Sequence, residues 1–365
     1  MGEAMSRSTL VALSLVLPGM IFSQTVRAQG FLLIQPDVRS QGMGAAIAAV
    51  PDNPAGFMSN PALLANTNQA FASASFAKWL PDQFENMRVY SVDGGVSLQS
   101  LGTFGAGALL LDYGDIYFTD ETGQPLGKSR PFDLSLYAGY SLKVHPNLAI
   151  GGAAKLVYSD MGKTLGAGRE RGDPTAATIG FDLGVLVPAL FPMLTITGDR
   201  SDYKDHPSGF ARFAERFSNN RQRGISAAMV VQNIGPDLEY NSRAREPLPR
   251  NLKVGFAYRV LDTDPLGWLI TADANRLIGS NNLQHEPFFR NFTCNSGTEV
   301  NIFRLIDVRL GYIVWILEKT HAVNWTYGFA FGVDQLKFHF SNIHEIGVLN
   351  ERSRNTKFFS LSMTI

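Results

Sequence analysis

The sequence predicts an all-β fold: a transmembrane, antiparallel outer-membrane β-barrel of fourteen strands, with its amino-terminal segment held in the lumen as a hatch. Three observations carry this. The last eight residues alternate Phe359, Leu361, Met363 and Ile365 with Ser360, Ser362 and Thr364, which is a strand with one apolar and one polar face. A barrel in lipid has to close its sheet with such a strand, because an open edge leaves backbone groups unsatisfied in hydrocarbon. The same alternation recurs in segments of ten or so residues, the length a tilted membrane strand requires. Finally, short connections at one end of these segments alternate with long ones at the other, the asymmetry of bacterial outer-membrane barrels.

The elements follow in chain order. Residues 1–28 combine Arg7, an apolar run from Leu10 to Phe22 and the ending Val26-Arg27-Ala28, the pattern of a secretory signal peptide cleaved before Gln29. Residues 29–67 are rich in small residues and turn formers, including Gly42-Met43-Gly44, Pro51-Asp52-Asn53-Pro54 and Ser59-Asn60-Pro61, which suits a compact plug threaded close to barrel walls. Gly42-Met43-Gly44 is no dinucleotide loop, since a preceding buried strand and a third glycine are missing. Asp37 and Arg39 are placed to pair with each other or with lumen side chains, and Asn60 to cap backbone groups.

The barrel occupies 68–365, with strands at about 69–80, 88–100, 103–113, 131–144, 147–158, 175–187, 223–232, 251–261, 267–277, 297–304, 306–317, 323–332, 334–342 and 356–365. In 131–144, Phe132, Leu134, Leu136, Ala138, Tyr140, Leu142 and Val144 would meet lipid, while Asp133, Ser135, Tyr137, Gly139, Ser141 and Lys143 face the lumen. With the first strand running outwards, the short connections are periplasmic and the long ones, such as 114–130, 159–174, 233–250, 278–296 and 343–355, are external. One connection breaks this rule. Residues 188–222 would lie on the periplasmic side, and Phe210, Phe213, Ala214 and Phe217 within them predict a short amphipathic helix at the rim.

Composition excludes other classes. The 32 basic and 32 acidic residues provide no field for nucleic acid. The single Cys294, read as an incidental loop thiol, permits neither an internal disulfide nor a thiolate metal cluster. Six scattered histidines, with no H-E-x-x-H and no G-x-S-x-G, support neither a metal nor a nucleophile, so no enzyme activity and no cofactor are expected. His339 and His344 beside Glu345 read as solvated or lumen-facing, and Asp112, Asp115, Asp120 and Glu121 as a solvated loop face rather than a calcium site.

The run FLLIQPDVRSQGMG, followed by PDNPAGFMSNPALLA, resembles the amino-terminal signature of the PorV family, which sits among the FadL-like fourteen-stranded barrels. The blocks GGAAKLVYSDMGK (151–163), VQNIGPDLEYNSRAREPLPRNLKVGFAY (231–258) and LITADANRLIG (269–279) resemble later blocks of that family, so the likeness spans most of the chain after residue 28. The Asn60-Pro61-Ala62 triplet is shared with FadL itself. Two departures are the length of 188–222 and a terminal Ile365 where such barrels usually end on an aromatic residue. The resemblance implies a non-enzymatic component of type IX secretion in the outer membrane. It implies lipid as a neighbour, with a translocon barrel, the carboxy-terminal signal domains of cargo and surface attachment proteins as partners. It also implies hatch and lumen contacts through Phe31, Leu32, Leu33, Ile34, Pro36, Asp37, Arg39, Gly42, Met43, Gly44, Asp52, Asn60 and Pro61. The other expectation is a transporter of hydrophobic small molecules. That role requires an apolar pocket in the lumen and a lateral gap, for which the Gly102, Gly105 and Gly107 strand is the candidate kink.

Overall fold

The computed structural model describes residues 28–67, 69–119, 122–162, 175–191, 196–197, 224–240, 244–263, 265–278, 292–316, 321–333, 335–346 and 354–365. The signal peptide expected over 1–28, all but its last residue, and the amphipathic helix expected at Phe210–Phe217 lie outside them.

Fourteen antiparallel strands close into a ring. They are β1 (Phe71–Lys78), β2 (Arg88–Ser97), β3 (Thr103–Asp112), β6 (Phe132–His145), β7 (Leu148–Asp160), β8 (Thr175–Phe191), β10 (Gly224–Ile234), β13 (Asn251–Asp262), β14 (Leu266–Leu277), β15 (Phe292–Ile302), β16 (Ile306–Ile316), β17 (His321–Val333), β18 (Leu336–Ile346) and β19 (Arg354–Thr364). Two small hairpins, β4 (Ile116–Thr119) with β5 (Pro125–Ser129) and β11 (Leu238–Tyr240) with β12 (Ala244–Glu246), stand on the long connections. The two-residue β9 (Ile196–Thr197) pairs in parallel with the end of β13.

The ring closes where β1 meets β19, from Phe71 opposite Thr364 to Lys78 opposite Lys357. Ala70 and Ile365 extend that seam by exchanging backbone hydrogen bonds in both directions. The alternating terminal octet therefore occupies the position its pattern demands. Both its edges are paired, so no row of bare N–H and C=O groups faces hydrocarbon.

The side chains are sorted inside out relative to a water-soluble sheet. On β6 the inward Asp133, Ser135 and Ser141 are fully buried, while the outward Leu136 and Tyr140 are exposed. On β16 Asp307 and Arg309 are buried, and Ile306, Val308 and Leu310 are exposed. Exposed Trp325, Tyr327, Phe329 and Phe331 on β17 sit beside Tyr312, Phe338 and Phe340, with ring centroids 4.6 Å apart for Tyr312–Trp325 and 5.0 Å for Phe329–Phe340. A wall this apolar is tolerable only in a bilayer.

The alternation located every barrel strand and blurred some ends. β15 begins at Phe292 rather than at 297, because Thr293, Asn295 and Ser296 carry little apolar contrast. Ladder pairing to β14 and β16 extends the strand regardless. Cys294 is consequently an exposed residue of β15 and not a loop thiol. The turns at 98–102, 146–147 and 303–305 define one rim, here the short-turn rim. The connections that carry the β4–β5 and β11–β12 hairpins lie at the opposite, long-loop rim.

Candidate luminal site

Residues 28–67 pack against inward-facing side chains of the wall, and the contacts occur in chain order. The 3-10 turn Ala28–Leu33 lies towards the long-loop rim. There Phe31, Leu32 and Ile34 are buried and Leu33 is half-buried. Their cluster includes the inward residues of the long-loop half, among them Val89, Leu109, Leu111, Val157, Ile343 and Phe358. Leu238, Tyr240 and Leu248 of the β10–β13 connection join the same cluster. The upper lumen is thus apolar where these side chains pack on it.

After the buried Pro36, the chain turns into a five-residue helix, α1 (Val38–Gly42), that packs against β16–β19. Asp37 is its N-cap: the carboxylate accepts from Arg39 N at 3.2 Å and Ser40 N at 3.1 Å, and takes a further bond from Asn53 Nδ2 at 2.6 Å. Asp37 therefore spends its charge on backbone and Asn53, and does not pair with Arg39.

Gly42-Met43-Gly44 lies on a track of wall glycines. Gly297 and Gly311 stand side by side on β15 and β16, with Gly328 two residues along β17 from Gly311's partner Thr326, and a methyl group on each glycine would meet Met43, Gly44 and Gly42 respectively. Gly44 has φ +65°, and a Cβ there would stand 2.8 Å from Tyr312 N. Thr326 Oγ1 fastens the pair, accepting from Gly44 N at 2.9 Å and donating to Gly42 O at 3.1 Å. Gly311→Ala is therefore expected to lift Gly44 off the wall at a cost of about 1–3 kcal/mol. Protection of the Gly44 amide from hydrogen exchange is the readout, and unchanged protection would refute the contact.

Charge carries the next fastening. Arg39 Nη2 meets Glu299 Oε1 at 2.7 Å and Asp52 Oδ1 at 3.2 Å, and Arg259 reaches Asp52 Oδ2 at 2.6 Å. Glu299 is shared with Arg309 (2.6 Å), which also pairs with Asp307 (2.8 Å), and Lys337 reaches Asp307 at 3.2 Å. Burial pulls the Arg39 guanidinium down, but Asp52 and Glu299 hold it well above its ordinary value. It stays charged throughout the working pH range. A charge removed from water this far is tolerable only when paired, and here β15 and the Pro51–Pro54 turn supply the partners.

Beyond it, the carboxylate of Asp273 on β14 accepts from Ile47 N at 2.8 Å and Ala48 N at 3.0 Å. Lys253 Nζ donates to Ser59 Oγ at 2.6 Å, and Gln232 Nε2 to Met58 O at 3.0 Å. Asn60 accepts from Ala62 N at 3.0 Å and donates to Ala48 O at 2.7 Å, so it caps the turn Pro61–Asn66 and ties two parts of the segment together. The buried Asn60-Pro61-Ala62 triplet reaches the wall at two more glycines: a Cβ on Gly151 would stand 2.5 Å from Ala62 N, and one on Gly184 would strike the Asn60 amide.

The glycines of β3 serve the same purpose, which corrects the reading of that strand as a kink. A Cβ on Gly105 would stand 2.9 Å from Leu64 Cδ2, and one on Gly107 2.6 Å from Tyr137 Oη. β3 pairs without a register shift to β2 on one side and to β6 on the other. Among the described barrel pairs the shifts lie instead in β8–β10, β13–β14 and β6–β7. One of them surrounds Asn233, whose φ is +59°, between Val231 and Ile234 of β10. There Lys155 Nζ stands 2.7 Å from Asp182 Oδ2 and 2.9 Å from Asn233 Oδ1, while Asn233 N donates to Asp182 Oδ1 at 2.8 Å.

The histidines and acidic residues singled out in the sequence are tied into structure where they are described. His339 is luminal and buried, with Nε2 at 2.8 Å from Ser362 Oγ, and His344 Nδ1 lies 3.0 Å from Asn355 Oδ1. Asp112 pairs with Arg130 and Asp115 with Lys128, which accounts for both; Asp120 and Glu121 lie outside the described residues. Sequence reasoning found Arg39, Asp52, Asn60 and the Gly-Met-Gly run but missed Glu299, Asp273 and the pair Lys155–Asp182. Each of the four lies on the inward row of its strand, and that position was the available signal.

Solved structures with this architecture include the Pseudomonas putida toluene transporter TodX, at a TM-score of 0.56 and 14% identity over 89% of this chain and 96% of that one. A Pseudomonas aeruginosa FadL homologue matches at a TM-score of 0.51 and 10% identity, over 90% of this chain and 97% of that one. The fold is that of the FadL-like outer-membrane barrels. No family model matches the sequence, and no curated protein sequence matches it. At these identities the FadL-like likeness is one of architecture. The closed wall and apolar exterior make this chain an outer-membrane protein.

Proposed function

We propose that this FadL-like barrel conducts hydrophobic small molecules across the outer membrane without chemical conversion, and that residues 29–67 are the hatch that closes it. One observation carries the reading: the long-loop half of the lumen is lined by Leu109, Leu111, Val157, Ile343 and Phe358 and holds Phe31, Leu32 and Ile34 in a space otherwise suited to an apolar guest. Burial of those three side chains contributes about 1.5–3 kcal/mol each, which an incoming apolar molecule would have to match. TodX, named as a toluene transporter and monoaromatic hydrocarbon channel, supports the same reading by its architecture.

A second reading, a component of type IX secretion that binds a translocon and cargo signal domains, is favoured by the PorV-like amino-terminal run and by the unbroken pairing of β3, which leaves that strand without a lateral exit. The two separate in one experiment. Lipopolysaccharide-containing outer-membrane vesicles bearing the chain are expected to admit labelled toluene faster than vesicles lacking it. Equal rates, together with a larger barrel that co-purifies from native membranes, would replace the first reading by the second.

A further inference from the structure

The segment leaves the lumen beside a cleft of about 350 Å³ at the short-turn rim, between its last turn and the inner faces of β2, β3 and β6. Thr67, Ser97, Ser100, Thr103, Ser141 and Lys143 line it. This lining differs in kind from the apolar upper lumen. Thr67 is 7% exposed, and its hydroxyl has no hydrogen-bond partner, a state that buried hydroxyls rarely keep without a ligand or water. Ser97 Oγ accepts from Gln99 N at 3.3 Å, which leaves its own proton free to donate. Ser141 is already committed, donating to Ile150 O at 2.8 Å. Lys143 is exposed at the mouth, and among the described residues no carboxylate pairs with it.

Unspent hydroxyl donors around one unpaired ammonium form a site for a single negative charge. A dianionic phosphate would leave half its charge unmatched there, whereas a carboxylate is matched in charge and accepts from several donors at once. The volume holds a small organic molecule and excludes a folded chain. We propose that this cleft binds the carboxylate of a small organic acid, with Lys143 as the counter-charge and Thr67 as a donor. The proposal deepens the reading of the barrel as a passage for hydrophobic molecules, because it adds organic acids to what the chain accepts.

Equilibrium dialysis of the full chain in detergent micelles against labelled benzoate and, separately, labelled toluene tests it. Wild type is expected to bind both. Lys143→Gln should weaken benzoate about tenfold, the worth of one charge-assisted contact, and Thr67→Val a few-fold, with toluene unchanged in each. Unchanged toluene binding also certifies that the variants are folded. If toluene binds but benzoate does not, or if Lys143→Gln binds benzoate as well as wild type, the carboxylate site is wrong and the passage reading survives. If benzoate binds and depends on Lys143 while toluene never binds, the site stands and the passage reading falls. Binding of neither ligand removes both.

Discussion

Arg39→Ala is expected to detach the luminal segment while leaving the wall intact. The guanidinium is the one side chain of α1 that joins Glu299 on β15 to Asp52 in the Pro51–Pro54 turn, through contacts of 2.7 and 3.2 Å. Its deletion leaves two carboxylates short of a partner in a site where Arg39 and Glu299 are only 13% and 7% exposed. Breaking a buried pair from one side costs about 3–5 kcal/mol, more than a five-residue helix recovers from its own hydrogen bonds. Single-channel recording in planar bilayers is the direct measurement: a quiet wild type and a variant with stepwise conductance. The barrel signature in circular dichroism should persist, because the β15–β16 ladder does not involve Arg39. The double variant Arg39→Ala with Glu299→Ala should fall short of the sum of the singles, since both remove one interaction. A variant as quiet as wild type would show that the glycine track and Asp273 hold the segment without help from charge.

The second large effect is expected at Lys155. Its ammonium and the Asp182 carboxylate are 1% and 0% exposed and 2.7 Å apart, and both are also bonded to Asn233. Lys155→Ala therefore strands a carboxylate beneath the β10 irregularity and should destabilise the barrel by about 3–5 kcal/mol, read as a lower urea midpoint in lipid vesicles. Lys155→Met combined with Asp182→Leu should restore most of that loss, since two apolar side chains of similar volume need no partner. If the double variant is as weak as the single, Asn233 rather than the ion pair holds the irregularity. The signs follow from desolvation: the attraction between the pair exceeds the cost of burying one charge alone but falls short of the cost of burying both.

The contrast between the strands and the site explains what the sequence could reveal. A period of two over ten residues is a strong and redundant signal, and it located β6, β16 and β17 because their outward rows are uniformly apolar. It placed the start of β15 five residues late, where polar residues occupy both faces. The luminal contacts are harder. Gly42-Met43-Gly44 and Gly311 are each visible as glycines, but only the ring gathers Gly297, Gly311 and Gly328 beneath them. The β3 glycines illustrate the same limit: a glycine that admits a neighbour and a glycine that permits a bend look identical in a linear string. Arg39 and Asp37 were legible as polar residues in an apolar stretch, and their assignment to Glu299 and to the helix cap depended on distances no spacing encodes.

The seam between β1 and β19 also constrains how the molecule is made. Because the proposed hatch leads into β1, and β1 is zipped to the final strand, the cylinder cannot shut around an empty centre and be stoppered afterwards without drawing the free end through a rim. Biogenesis that sets the stopper in place while the wall is still an open sheet avoids that step. On that route a chain whose stopper is cut away should assemble into a leaky ring, and the same stopper supplied later as a separate peptide should fail to reseat.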